Sequence, residues 1–160
     1  MIVPDSLDNL IMKQIKTLAA ILGAVFVAAP IASNHVSDAQ DFQTASQPGA
    51  AVYFIHPLDG AVVNSPITVR FGLKGMGVAP AGVEKAGTGH HHLIIDAPLP
   101  PMDENIINDE NHLHFGGGQT ETTIKVAPGK HTLQLLLGDQ NHLPHSPPVY
   151  SRAITITVSD

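Results

Sequence analysis

Proline limits this chain more than any other residue type, because eleven of its thirteen prolines lie beyond residue 39. A proline inside a helix removes a backbone donor and clashes with the preceding turn. Together with frequent glycines, the prolines leave no window for a long amphipathic helix. Between these breaks runs an alternation of period two. Ile67, Val69, Phe71 and Leu73 alternate with Thr68, Arg70 and Gly72, and Ile154, Ile156 and Val158 alternate with Thr155 and Thr157, the pattern of half-buried strands. Strands are predicted at 51–56, 66–73, 89–96, 112–115, 120–126, 130–137 and 150–158. This spacing points to an all-β chain, an immunoglobulin-like antiparallel β-sandwich of about seven strands. A small antiparallel barrel is the alternative. The tight Ala127-Pro128-Gly129-Lys130 turn predicts a hairpin between the fifth and sixth strands.

The first 39 residues read as an address. Lys13 and Lys16 precede an apolar stretch at 18–29, and Ser37-Asp38-Ala39 offers a small-x-small cleavage site, so a signal peptide cleaved after Ala39 is expected over residues 1–39. Met12 is the better initiator. An uncleaved anchor is the alternative. The apolar stretch falls short of the roughly 20 residues a membrane span needs, so the expected product is periplasmic or secreted and, after cleavage, not an integral membrane protein. Residues 40–50 are polar and small and read as a flexible lead, followed by one domain over 51–160.

Beyond residue 39 six Lys and Arg face eleven Asp and Glu, a balance of −5 with histidines neutral. Neither a basic patch nor a ladder of stacking aromatics is present, which argues against nucleic acid as a partner. The chain has no cysteine, so its core must hold without disulfides. The same absence excludes a thiolate-ligated copper site, a zinc ribbon and a cysteine nucleophile.

Seven of the ten histidines fall into three short clusters: His90, His91 and His92, then His112 and His114, then His142 and His145. Imidazole is the side chain most often used to hold zinc or copper, so a transition metal ion, Cu or Zn, is the expected cofactor. In an antiparallel sandwich alternate connections share one end, which would gather the three clusters on one rim. Residues two apart on a strand share a face, so His90 and His92 point together while His91 points with Leu93 and Ile95 toward the core. The expected ligands are His90, His92, His114, His142 and His145, with His112 as an alternate. Behind them stand His91, read as a buried structural histidine, and Asp139, placed to accept a ligand's other N–H. His56 and His131 fall at the opposite end and read as structural.

Other candidates are weaker. The acidic stretch at 103–111 lacks the ordered calcium-loop pattern and reads as a solvated loop. Met76 and Met102 carry thioethers but are expected at different ends. Gly116-Gly117-Gly118 lacks the strand-to-helix context of a phosphate loop and reads as a tight connection.

The segments GTGHHHLIIDAPLP, NHLHFGGGQTE, PGKHTLQLLLGDQNHLPH and SRAITITV, in this order, resemble a bacterial family catalogued as domain of unknown function 4399. The resemblance covers about residues 52–158. It implies a secreted or periplasmic β-rich domain and carries no established activity. Its motif falls here on His90, His91, His92, His112, His114, His131, Asp139, His142 and His145. The leading expectation is an exported metal chaperone, buffer or scavenger. The alternative is a non-enzymatic envelope or adhesion-type module with structural histidines and another envelope protein as partner. An enzyme ranks third, since a zinc hydrolase would need a base such as Glu110 or Glu121 and no motif brings either to the rim.

Overall fold

The computed structural model describes residues 42–159, and the leader read over residues 1–39 lies outside them. Among the described residues nine strands form: β1 (Ala51–His56), β2 (Val62–Val63), β3 (Ile67–Lys74), β4 (Gly77–Val78), β5 (Thr88–Ile95), β6 (His112–His114), β7 (Glu121–Ile124), β8 (Gly129–Gly138) and β9 (Ile154–Val158). Each of the seven alternating segments contains one. β2 and β4 are two-residue additions. Among the described residues no helix is long and apolar enough to cross a membrane.

The strands make two sheets in a sandwich-like, all-β arrangement. One has the order β1-β3-β7, and the other runs β2-β9-β8-β5 with β4 and β6 both on the far side of β5. β4 runs parallel to the start of β5 at Thr88 and Gly89, and β6 runs antiparallel to its end at residues 92–94. Alternation decides what lies between the sheets. Val52, Ile67, Val69 and Phe71 from the smaller sheet meet Leu93, Ile95, Leu133, Leu135, Leu137 and Ile156 from the larger, and all are buried. This apolar contact is the main driving force for the fold.

The expected hairpin between the fifth and sixth strands does not form. β7 pairs with β3 in the smaller sheet, whereas β8 pairs with β5 and β9 in the larger, so the turn at 127–129 carries the chain across the core. Burial explains the crossing. Ile124 and the Leu133, Leu135 and Leu137 row all point inward, and placing them on opposite sheets lets them close one core from both sides.

All eight residues of β5 are buried, which one packed face cannot accomplish. Its outward face is covered as well. Ile94 and Leu136 pack there against Ile106, with Ala97, Leu99 and Met102 around them. The segment at 96–111 therefore folds over the sheet. Although Asp103, Glu104, Asn105 and Ile107 are exposed, as a solvated loop requires, Ile106 is 5% exposed and its N–H donates to the His142 carbonyl at 2.8 Å.

Candidate functional site

The three histidines of β5 divide by parity. His91 turns inward and its ring lies 5.2 Å from that of Phe71. His90 and His92 turn outward. β6 lies beside β5 in a register that sets His114 directly opposite His92, so both rings share the outer face. His142 reaches the same place from the loop after β8. The cluster is thus built on a covered sheet face near the strand ends and not on an open rim.

The four rings are in mutual contact. His90 lies 4.9 Å from His92, 5.0 Å from His114 and 5.1 Å from His142, ring centre to ring centre. His114 and His142 are 4.7 Å apart, and His92 and His114 stack at 5.0 Å. His92 and His142 are the widest pair at 6.4 Å. His90 and His92 are fully buried and form the floor, while His114 and His142 are half-buried and form the mouth.

Ring nitrogens are under-used. His90 Nε2 and His92 Nε2 are 3.1 Å apart, but the Nδ1 atoms of both and the Nε2 of His114 are buried without a hydrogen-bond partner. A neutral imidazole has one donor and one lone pair, and leaving either unpaired in the interior costs about 1–3 kcal/mol. Burial holds these rings neutral. It lowers the pKa of His90 to about 4 and that of His92 to about 2, with neighbouring imidazoles adding to the effect, and it lowers His114 in the same way. Asp139 pulls His90 in the other direction, so its carboxylate favours positive charge at this point. Neutral, unpaired imidazoles beside a buried carboxylate suit a cation.

Three of these residues, His90, His114 and His142, offer ring nitrogens that all lie within 4.8 Å of one another. His92 is not part of that set of three, although its Nε2 lies 3.1 Å from that of His90, close to the roughly 3.3 Å between neighbouring nitrogens around a tetrahedral zinc.

The remaining candidates lie elsewhere. His145 is fully buried and its Nδ1–H donates to the Thr44 carbonyl at 3.1 Å, which leaves Nε2 without a partner beside Gly89. His112 uses Nδ1 on the Asp109 carboxylate at 2.9 Å. Asp139 Oδ1 accepts the backbone N–H groups of Asn141 and Leu143 at 2.8 and 3.0 Å, and Oδ2 accepts the Thr44 hydroxyl at 2.9 Å. It organises the loop around His142 instead of bonding an imidazole. His131 donates Nδ1–H to Asp96 at 2.6 Å and Nε2–H to the Ala127 carbonyl at 2.9 Å. Glu121 pairs with Arg70 on the smaller sheet, Glu110 is exposed, Met76 packs on the main core and Met102 on the outer cluster.

Sequence reasoning missed three glycines. A Cβ at Gly138, the cross-strand partner of His90, would come 2.9 Å from His92 Nε2. One at Gly89 would meet the Gly138 carbonyl oxygen at 2.6 Å and His145 Nε2 at 2.7 Å, and one at Gly116 would overlap the His114 ring. A glycine inside a strand often marks such close approach, and that signal was available at Gly138, where it ends an apolar run.

Neither the curated proteins nor the solved structures provide a match to this chain. A family model does match, over residues 69–159, and these residues carry every histidine of the cluster. Since that is more than half of the chain, the protein belongs to the family described as Domain of unknown function (DUF4399).

Proposed function

We propose that this domain binds one transition metal ion, Cu(II) or Zn(II), through His90, His92, His114 and His142, and acts outside the cytoplasm as a metal chaperone, buffer or scavenger. The observation that carries this reading is a group of four touching imidazoles, three of which, His90, His92 and His114, hold buried ring nitrogens without partners. An ion at this point would be met by neutral imidazoles, the form that binds a metal. The half-buried mouth at His114 and His142 supports exchange of the ion with solvent. The leader at residues 1–39 supports export.

The immunoglobulin-like reading is part of the same proposal. Strands β1, β3 and β7 on one sheet and β5, β8 and β9 on the other follow that partition, and β2 lies parallel to the last strand.

Titration calorimetry of metal-free protein with Cu(II) and Zn(II) in a competing buffer tests the site. Tight binding of one ion per chain is expected, with loss in the H90A/H92A variant. Binding no tighter than in that variant would sink the reading. An apolar groove lined by Tyr53, Leu58 and Ile154, with Leu58 67% exposed, favours the envelope-module alternative. That role would survive removal of both histidines.

A further inference from the structure

We infer that residues 43–46 form a strap that positions His142, with Thr44 as its key positioning residue. The inference rests on the metal reading of the site.

His142 needs external support, because its backbone has φ 65°, a left-handed conformation that non-glycine residues rarely adopt. The loop around it supplies part of that support. The His142 N–H donates to the Asp139 carbonyl at 3.0 Å, the Asp139 N–H donates to the Leu143 carbonyl at 2.8 Å, and Asp139 Oδ1 takes the amides on either side of His142. These bonds converge on Asp139, which is fully buried.

The other carboxylate oxygen of Asp139 is held from outside the loop. Thr44 Oγ1–H donates to Oδ2 at 2.9 Å, and the Thr44 N–H reaches the same oxygen at 3.3 Å. The Thr44 carbonyl accepts the Ser146 N–H at 3.0 Å and the His145 ring N–H at 3.1 Å, while Ser46 N–H donates to the Ser146 carbonyl at 3.1 Å. Gln43 ties the Pro144 carbonyl at 2.9 Å to that of Met102, which belongs to the segment covering the outer sheet face. Residues read from sequence as part of a flexible lead therefore clasp both elements that close over the histidines. A ligand on a strained loop is only as well placed as the groups that fix the loop.

The test uses the full-length chain with Thr44→Val, which keeps the shape and removes the hydroxyl, and Thr44→Ser, which keeps the hydroxyl. In competition titrations with Cu(II) and Zn(II), T44V should raise the metal dissociation constant about tenfold and speed release, while T44S stays near the wild type. A role in stability alone would lower the melting temperature of metal-free T44V and leave its dissociation constant unchanged. That result overturns the inference. If the wild type itself binds no metal, the reading of the site fails and the strap is judged on the metal-free chain. Amide exchange at Asn141 and Leu143 must then quicken in T44V but not in T44S, and unchanged exchange overturns the strap.

Discussion

Adding one methyl group at Gly138 should damage the site and the fold together. The new Cβ would stand 2.9 Å from His92 Nε2, 3.2 Å from His92 Cδ2 and 3.2 Å from Ile106 Cδ1. An ordinary contact there is about 3.5 Å or more, so the ring must retreat by roughly half an ångström. It has nowhere to go, because His92 is fully buried between His90, 3.1 Å away through their Nε2 atoms, and the stacked ring of His114. Overpacking of this kind costs about 1–3 kcal/mol, and each kcal/mol lowers the melting temperature of a domain this size by roughly 3–6 °C. Gly72→Ala is the control. Its Cβ would overlap the Tyr53 ring even more severely, but Tyr53 is 48% exposed and can swing into solvent, so a change within about 0.5 kcal/mol is expected. Calorimetric unfolding of metal-free G138A and G72A, followed by metal titration, measures both effects. G138A should also lose about tenfold in metal affinity, which is 1.4 kcal/mol. If G138A melts and binds like the wild type, His92 does not lie beneath Gly138 and the description of the floor is wrong.

Periodicity made much of this legible. The β3 alternation placed Ile67, Val69 and Phe71 inward as observed, and the parity of β5 separated His91 from His90 and His92. Three features left no periodic trace. The cover at 96–111 depends on Ile106, which is buried and bonded to the His142 carbonyl while its neighbour Ile107 is exposed, and no local pattern says which of the two turns inward. The separation of β7 from β8 was hidden because a Pro-Gly turn suits a sheet-to-sheet crossing as well as a hairpin. His142 and His145 differ only in how the loop aims them, and that depends on the left-handed backbone at His142. The role of Asp139 had a local signal. An aspartate opening a loop commonly caps the amides that follow, as it does here at Asn141 and Leu143.

Gly89→Ala should be harsher than G138A, since its Cβ meets the Gly138 carbonyl oxygen at 2.6 Å and main chain within a paired sheet cannot yield; soluble, folded G89A with a near wild-type melting temperature would refute this. Asp96 raises the pKa of His131, so this pair supports the fold below about pH 6.5 and its contribution is lost as pH rises through the folded value. The stability deficit of H131Q should accordingly shrink between pH 5.5 and 8.5, and a constant deficit across that range would count against it. His91 provides the opposite case in the metal-free chain. It is fully buried against Phe71 with neither ring nitrogen in a formed hydrogen bond, and burial lowers its pKa to about 4, while the backbone of Gly72 and Gln119, close by but outside hydrogen-bond geometry, weakly opposes the shift. The unfolded chain takes up this proton below about pH 6.5 and the folded chain does not until about 4. The fold therefore carries no proton-linked penalty from His91 well above pH 6.5, and by pH 5 that penalty has grown to about 2 kcal/mol. His91→Leu removes that proton and both unpaired nitrogens at similar volume, so the variant should match or exceed wild-type stability at pH 7.5, by up to about 1–3 kcal/mol. It should also fall less steeply toward pH 5. Urea unfolding at the two pH values decides the matter: H91L that is weaker at pH 7.5 and keeps the wild-type slope would mean that His91 has a partner in the fold and its burial is compensated.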